Sequence, residues 1–264
     1  MYAAAVQHDK SNVIASEPGR ARQSRAAFTL AEVLITLVII GVIAALTIPN
    51  LLRKQNDHAD VQKVKKVYAN LANAYQLAIR DLGTIPEGGW TQNQGGTSSS
   101  EKPAADDVMQ KLLPYFKNSE MCPTTYGGFA KCYTHKLYQF DNTEIAKQHY
   151  VVYPFARLSD GTVIYLALWD NNCKFSNIYC GFIQFDINGK RGPNRHGYDI
   201  FIAYMLQDRL VPAGNGMNGL PQTFSWAHYC RNLYPTSYGK NGTGCTAWVL
   251  YKGNMDYKYK DIEW

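Results

Sequence analysis

The longest apolar stretch of the chain lies near its N-terminus, from Phe28 to Leu52, and reads FTLAEVLITLVIIGVIAALTIPNLL. A helix needs roughly 20 apolar residues to cross the hydrocarbon core of a bilayer, so this stretch is long enough to span a membrane. It contains one acidic residue, Glu32, and one proline, Pro49. Basic residues precede it at Arg20, Arg22 and Arg25, and basic flanks of this kind stay in the cytoplasm. The pattern predicts a membrane helix whose N-terminus is cytoplasmic.

Beyond Pro49 the apolar residues recur at steps of three and four, which is the spacing of one face of an amphipathic helix. They are Val61, Val64, Val67, Leu71, Ala74, Tyr75, Ala78 and Leu82, and the opposite face carries Lys63, Lys66, Asn70, Asn73 and Arg80. Gly83 offers a C-terminal stop. Because an internal proline usually kinks a helix, we predict one long helix of roughly 80 Å, kinked at Pro49, with its second half packed on a sheet. The alternative is two helices separated by a break within residues 49–56.

The second half of the chain has strand-like patterns. A Gly- and Ser-rich loop over residues 83–103 and a short helix over residues 104–116 come first. Four apolar runs follow, namely 161–169, 178–187, 200–206 and 246–251, and Asn188-Gly189 is a tight-turn signal after the second. The predicted fold is therefore α+β: a long kinked N-terminal helix packed on a small antiparallel sheet.

Composition supports a folded domain and argues against a nucleic-acid-binding protein. The chain has 264 residues, 46% of them hydrophobic and 13% aromatic, and a net charge of +6. Beyond the polar leader that precedes the apolar stretch, residues 1–27, and the stretch itself, about 200 residues remain, which is enough for one exported domain. The basic surplus is modest and spread out, with Lys63, Lys65 and Lys66 as its main cluster, whereas nucleic-acid binding needs a concentrated basic face.

All six cysteines lie beyond the apolar stretch. An even number on the exported side indicates disulfides formed in an oxidising compartment. Sequence proximity favours the pairs Cys122–Cys132, Cys173–Cys180 and Cys230–Cys245, although six cysteines allow 15 connectivities. The alternative, a zinc site, would use closely spaced CxxC pairs, and the sequence has none.

Glu32 is the feature that a simple signal or anchor does not explain. A cleaved secretory signal has about 7–15 apolar residues followed by small residues, whereas here Ala26-Ala27 precede the apolar run. A plain membrane anchor accounts for the length. It leaves unexplained an ionised carboxylate that costs about 2.5–3.5 kcal/mol within a membrane helix. A partner from another molecule, or the amine of a processed chain, would neutralise that charge.

The string Ala27-Phe28-Thr29-Leu30-Ala31-Glu32-Val33, with the apolar run and Pro49, resembles the prepilin N-terminus of type IV pilins and type II secretion pseudopilins. The resemblance implies that a membrane peptidase cuts between Ala27 and Phe28 and methylates the new amine. Glu32 would then pair with the N-terminal amine of a neighbouring subunit, because the two buried charges offset one another. Two positions depart from the family pattern, which usually has glycine at Ala27 and a larger aliphatic residue at Ala31.

Pattern and resemblance together predict four segments. Residues 1–27 form a cleaved basic leader, 28–52 a transmembrane or filament-core helix, 53–82 an amphipathic continuation, and 83–264 an exported, disulfide-stapled domain.

No catalytic arrangement is recognisable in the sequence, and we expect the protein not to be an enzyme. HExxH, GxSxG, phosphate-loop and dinucleotide-binding motifs are absent, and His135, His149, His196 and His228 are scattered. The chain has 19 tyrosines and five tryptophans, and those within strand-like runs, such as Tyr165 and Trp169, are expected in the core or at subunit contacts. Trp90 and Trp226 are candidates for exposed, adhesive side chains.

The loop DINGKRGPNRHGYD, residues 186–199, is similar to the Asp- and Gly-rich loop of pseudopilins, whose major members bind calcium there. Asp186, Asn188, Asn194 and Asp199 supply candidate oxygen ligands for calcium, which takes six to eight. Lys190, Arg191 and Arg195 oppose a dication, and a turn shaped by Gly and Pro is the favoured interpretation. We therefore expect no cofactor, with calcium as the alternative.

These observations favour a filament subunit: a pseudopilin or pilin of the bacterial inner membrane, with its N-terminus cytoplasmic and its domain periplasmic. Its expected partners are other pilin-like subunits, the prepilin peptidase, the inner membrane and the secretion or pilus assembly machinery. The alternative is a single-pass, membrane-tethered binding module that does not polymerise.

Overall fold

The computed structural model of the chain describes residues 29–91, 102–122, 133, 136–145, 153–175, 178–214, 230 and 242–260. The chain forms two compact units, Met1–Asn50 and Leu51–Trp264. One helix, α1 (Leu30–Leu82), belongs to both. Each unit is described by itself.

In the first unit, α1 is apolar on all sides and its large side chains are exposed, from Leu30 at 78% to Val33 at 43%. Judged by length and composition, this is a helix that could cross a membrane. The hydroxyls of Thr36 and Thr47 donate to the carbonyl oxygens of Val33 and Ile43, which satisfies these polar groups within the helix itself.

Pro49 lies inside α1, and the helix continues through it to Leu82. The alternative of two helices separated within residues 49–56 is therefore wrong. The kink assigned to Pro49 stays a prediction, as do the segment boundaries.

In the second unit, α1 buries one face. The buried residues are Val61, Val64, Val67, Leu71, Ala74, Tyr75 and Ala78, with Leu82 half-buried at the end. The predicted apolar stripe is confirmed, and the polar residues predicted opposite it are exposed. Gly83 ends the helix with a left-handed φ of 80°, and its N–H donates to the carbonyl oxygen of Ile79 at 2.8 Å. Glycine adopts this conformation without steric cost.

A six-stranded antiparallel sheet forms the other layer of this unit, with its strands in sequence order. They are β1 (Glu120–Met121), β2 (Phe155–Arg157), β3 (Val163–Leu168), β4 (Tyr179–Asp186), β5 (Ile200–Leu206) and β6 (Leu210–Pro212). The two edge strands are short, which limits unwanted pairing with other chains. The α+β fold predicted from the sequence is confirmed.

The strands alternate between two buried faces because successive side chains of a strand point to opposite sides. One face contributes Ile164, Leu166, Ile183, Phe185 and Phe201 to the core that includes the buried stripe of α1. Helix α2 (Lys102–Leu112) adds Ala104, Ala105, Val108, Met109 and Leu112 to the same core. A turn of 3₁₀-helix, Leu113–Tyr115, follows α2 and contains Pro114. The other face is largely aromatic and includes Tyr165, Trp169, Tyr179 and Tyr204.

The apolar run at residues 246–251, expected to be a strand, is helix α3 (Cys245–Lys252). A short apolar run does not by itself distinguish a buried strand from a buried helix. Tertiary contacts decide here: Thr246 Oγ1 accepts from the N–H of Ile202 at 2.9 Å, and the N–H of Ala247 donates to the carbonyl oxygen of Ala213 at 2.9 Å. The helix covers the end of the sheet that β5 and β6 form.

Candidate functional site

The start of α1 is built around Thr29 and Glu32. The backbone N–H and the hydroxyl of Thr29 both donate to Glu32 Oε2 at 2.8 Å, and the N–H of Glu32 donates back to Thr29 Oγ1 at 3.2 Å. This is the reciprocal arrangement of a capping box, in which the first and fourth residues satisfy each other's free backbone donors. The Glu32 side chain therefore caps the N-terminus of α1, the helix to which it belongs.

The capping role of Glu32 was missed in the sequence analysis, although its signal was present. Thr29 stands three residues before Glu32, immediately ahead of a long apolar run, which is the spacing of a capping box. Both bonds from Thr29 reach the same oxygen, and within the described residues Glu32 Oε1 receives no hydrogen bond. The predicted cleavage residues Ala27 and Phe28 lie outside the described residues.

Two of the predicted disulfide pairs are bonded, Cys173 to Cys180 and Cys230 to Cys245. Cys122 is also disulfide-bonded, and its predicted partner Cys132 lies outside the described residues. These bonds lie in the second unit.

The four calcium candidates in the loop between β4 and β5 do lie together. Asp186 and Asp199 are each only 2% exposed. Asn188 Nδ2 donates to Asp199 Oδ2 at 3.2 Å, and the N–H of Asn194 donates to the same oxygen at 2.8 Å. Burial and the nearby charge of Asp199 raise the pKa of Asp186, and burial raises the pKa of Asp199 to about 6. We call the segment that contains these four residues, 186–199, the carboxylate loop.

The basic residues of this loop separate into two kinds. Lys190 and Arg191 are exposed. Arg195 is instead used to dock a second loop, since its guanidinium donates to the carbonyl oxygen of Phe140 and lies 4.2 Å from the ring centre of Tyr198. The positive charge of Arg195 thus serves packing between loops.

Two other predictions concern exposed or reactive side chains. Trp90 is fully buried, so the suggestion of an adhesive Trp90 is wrong; its indole N–H donates to the carbonyl oxygen of Gly83 at 2.7 Å. Trp226, His135, His149 and His228 lie outside the described residues. His196 is buried, its Nε2 is 3.0 Å from Gln184 Oε1, and burial lowers its pKa to about 4. A neutral histidine held in the core is a packing residue.

Comparison with known proteins bears directly on the start of α1. Residues 22–48 match the family described as the prokaryotic N-terminal methylation motif, and this segment includes Ala27, Phe28 and Glu32.

Among curated proteins, the chain is similar to type II secretion system core protein G from three bacteria. The protein of Escherichia coli strain K12 is 38% identical over 84 residues, which are 32% of this chain and 54% of that protein. Its counterpart in Klebsiella michiganensis is 36% identical over 83 residues, 31% of this chain and 55% of the relative. The Aeromonas hydrophila protein is 33% identical over 84 residues, which are 32% of this chain and 55% of that protein.

The chain thus spans about half the length of the curated relatives it matches. No solved structure gives a significant match. The methylation motif and the relatives agree with the resemblance inferred from the sequence, which is confirmed. Residues 22–48 of this chain thus carry the N-terminal methylation motif that the resemblance predicted.

Proposed function

We propose that this chain is a structural subunit of a type II secretion pseudopilus, assembled through the first half of α1. The observation that carries the proposal is the methylation motif at residues 22–48, set at the start of a helix whose apolar side chains are exposed in the single chain. The curated relatives are named as core proteins of a type II secretion system, which favours a pseudopilus over a pilus. A structural role of this kind requires no catalytic site.

The exposed apolar surface needs a partner. Between Leu30 and Ile48, the leucines, isoleucines and valines of α1 are at least 43% exposed. Burying one such side chain is worth about 1.5–3 kcal/mol, so leaving the whole set in water would cost on the order of tens of kcal/mol. Lipid satisfies this surface before assembly, and the α1 helices of neighbouring subunits satisfy it in the filament. We place the helix in the inner membrane, with the leader cytoplasmic and the second unit periplasmic.

Glu32 gives the assembly step its specificity. A carboxylate in an apolar environment is expensive unless an opposite charge lies beside it. Cleavage between Ala27 and Phe28 by the prepilin peptidase would create an amine that each subunit offers to its neighbour. Since Thr29 uses only one oxygen of Glu32, the capped carboxylate can accept this amine without opening the first turn of α1.

Glu32→Gln and Thr29→Ala separate the two roles of this site. Glutamine also serves in a capping box, so Glu32→Gln keeps the cap and removes the charge. We expect this variant to insert and be processed normally but to lose at least about tenfold in filament yield, the equivalent of roughly 1.4 kcal/mol per subunit. Thr29→Ala weakens the cap, keeps the charge, and should assemble within about twofold of the parent.

Filament yield is measured in the sheared fraction of cells, membrane insertion by fractionation, and processing by mass spectrometry of the mature N-terminus. Normal filament yield from Glu32→Gln would refute the charge-pairing role. Equal losses in both variants would instead assign the effect to helix capping. A mature chain that keeps residues 1–27 and stays solitary in the membrane would replace the filament proposal with a tethered binding module.

A further inference from the structure

The carboxylate loop poses a problem that the filament role does not address. Asp186 and Asp199 are both buried, and two buried carboxylates close together need compensation. The loop is similar to one that holds calcium in major pseudopilins, and calcium would supply that compensation. Whether calcium fits depends on which atoms already face the carboxylate oxygens.

Asp186 is fully used by protein donors. Its Oδ1 accepts from the N–H groups of Asn188 and Gly189 at 2.9 and 2.8 Å. Its Oδ2 accepts from the hydroxyl of Tyr133. When the side-chain amide of Asn194 is turned so that its oxygen and nitrogen exchange places, the nitrogen donates to the same Oδ2 at 3.2 Å and to the carbonyl oxygen of Gly189 at 2.9 Å. An ionised carboxylate has about four acceptor positions, and with the Asn194 amide in this orientation protein donors occupy those of Asp186.

Asp199 is occupied in the same way. Its Oδ1 accepts from the N–H of Arg195 at 2.6 Å. Its Oδ2 accepts from the N–H of Asn194 at 2.8 Å and from the side-chain amide of Asn188 at 3.2 Å. Asn188 thus presents its NH₂ group to Asp199, and Asn194 presents its NH₂ group to Asp186 once its amide is turned to satisfy the neighbouring oxygens. The Asn188 side-chain oxygen is buried and accepts no hydrogen bond from the described residues. A calcium site would need the asparagine oxygens to face the same point as the carboxylates.

The surroundings supply further backbone donors to the loop. The second loop, residues 136–145, is tied directly to the carboxylate loop, since the N–H of Tyr138 donates to the carbonyl oxygen of Asn194 and the N–H of His196 donates to that of Tyr138, both at 2.9 Å. The donor set present does not fit calcium.

We propose that the protein's own donors close the carboxylate loop in place of a cation, with the Tyr133 hydroxyl and the Asn188 and Asn194 amides as its side-chain members. The domain consequently folds and keeps this loop without calcium. Tyr133 is the long-range member, because it lies 53 residues before Asp186 in the chain. It connects the segment near Cys122 to the end of β4, a connection that a dication bound within the loop would not need.

The test is thermal unfolding of the full-length chain in detergent, followed by tryptophan fluorescence, in millimolar calcium chloride and in millimolar EDTA. A dication at about a hundred times its Kd would raise Tm by several degrees in a domain of this size. We expect the two Tm values to agree within about 1 °C. A fall in EDTA that calcium reverses, or stoichiometric calcium binding by titration calorimetry, would overturn the proposal.

Tyr133→Phe tests the positive half of the proposal. It removes one donor from Asp186 and should lower Tm by several degrees, equally in both buffers. Tyr251→Phe is the matched control, since Tyr251 is 43% exposed, and it should leave Tm unchanged. If Tyr133→Phe does not fold, Asn188→Ala serves instead, because it deletes the side-chain contacts to Asp199 at 3.2 Å and to the carbonyl oxygen of Gly192 at 3.5 Å and keeps the backbone N–H that donates to Asp186. A Tyr133→Phe or Asn188→Ala chain that melts with the parent in EDTA would show that these donors do not hold the loop.

Discussion

Two tyrosines of α1 anchor the hairpin formed by β5 and β6, and deleting their hydroxyls tests how the second unit is held together. The hydroxyl of Tyr75 donates to the carbonyl oxygen of Leu206 at 2.7 Å, and that of Tyr68 donates to Leu210 at 3.1 Å. Seven residues are close to two helical turns, so both hydroxyls leave the same face of α1. They reach the two strand ends that flank the hairpin turn.

Tyr75→Phe should cost more than Tyr68→Phe. Tyr75 is fully buried and its ring centre lies 5.6 Å from that of Trp90, so loss of the hydroxyl leaves the Leu206 carbonyl without this donor in a dry environment. We expect a loss of about 1–3 kcal/mol in the free energy of unfolding. In a domain of this size that lowers Tm by roughly 2–12 °C. Tyr68 is half-buried, and we expect about 1 kcal/mol there.

The measurement is guanidinium unfolding of the full chain in detergent, followed by tryptophan fluorescence and circular dichroism. Tyr251→Phe is again the matched control and should stay within about 0.5 kcal/mol of the parent. The double variant tests whether the two contacts support one hairpin, since coupled sites depart from additivity. A Tyr75→Phe midpoint equal to that of Tyr251→Phe would refute the reasoning, because burial would then have added nothing to the hydroxyl contact.

Three further perturbations have defined outcomes. Burial lowers the pKa of His196 to about 4, against about 6.5 in the unfolded chain. As the pH falls from 6.5 to 4, the free energy of unfolding of the parent should therefore fall by about 3 kcal/mol relative to that of His196→Gln. Urea midpoints of the two proteins that stay equal across this pH range would contradict the prediction. Asp57→Asn removes the carboxylate that lies 2.8 Å from the Lys258 ammonium, which is 5% exposed, and leaves it the more distant charge of Asp60; this should cost about 3 kcal/mol by urea unfolding. Replacing Cys230 and Cys245 together by serine opens a 15-residue loop and should lower the free energy of unfolding by about 3 kcal/mol. Because the double variant no longer has this disulfide, a reductant should not lower its stability further through this pair.

The helical half of the fold could be predicted because its pattern is periodic and long. The steps from Val61 to Ala78 give one stripe at the helical period, and each predicted position between them is buried. Gly83 could be predicted as the end of α1 for a local reason, since few other residues adopt a left-handed conformation without cost. Such signals depend on the backbone alone and need no knowledge of distant contacts.

The errors arose where distant contacts decide the structure. The run from Thr246 to Tyr251 has the composition of a strand, yet Thr246 and Ala247 bond to the sheet from a helix. Trp90 follows a Gly-rich turn that suggests exposure, but its indole reaches back to the end of α1 and its ring packs on Tyr75. Neither contact leaves a periodic trace in the sequence.

The residues of the candidate site could be predicted from the sequence, but their hydrogen bonds could not. The motif around Phe28 and Glu32 could be recognised from sequence, whereas the bond from Thr29 to Glu32 depends on the rotamer that the helix start imposes. In the carboxylate loop the four oxygen-bearing residues were correctly grouped. Their donor and acceptor roles could not be predicted, because asparagine offers either an oxygen or an NH₂ group and the neighbouring side chains determine which.

The change of pattern within α1 separates the two tasks of the chain. Before Asn50 the helix is apolar on every side and exposed, so substitutions there change what the helix does with lipid or with other helices. After Leu51 the helix buries only one stripe within its own unit, so substitutions there change the stability of that unit. Energetic effects at distant, independent sites add, and we expect this of two sites that belong to different units. Combining Glu32→Gln with Tyr75→Phe should therefore give the filament loss of the first and the unfolding shift of the second, whereas a mutual dependence would mean that assembly and domain stability share interactions.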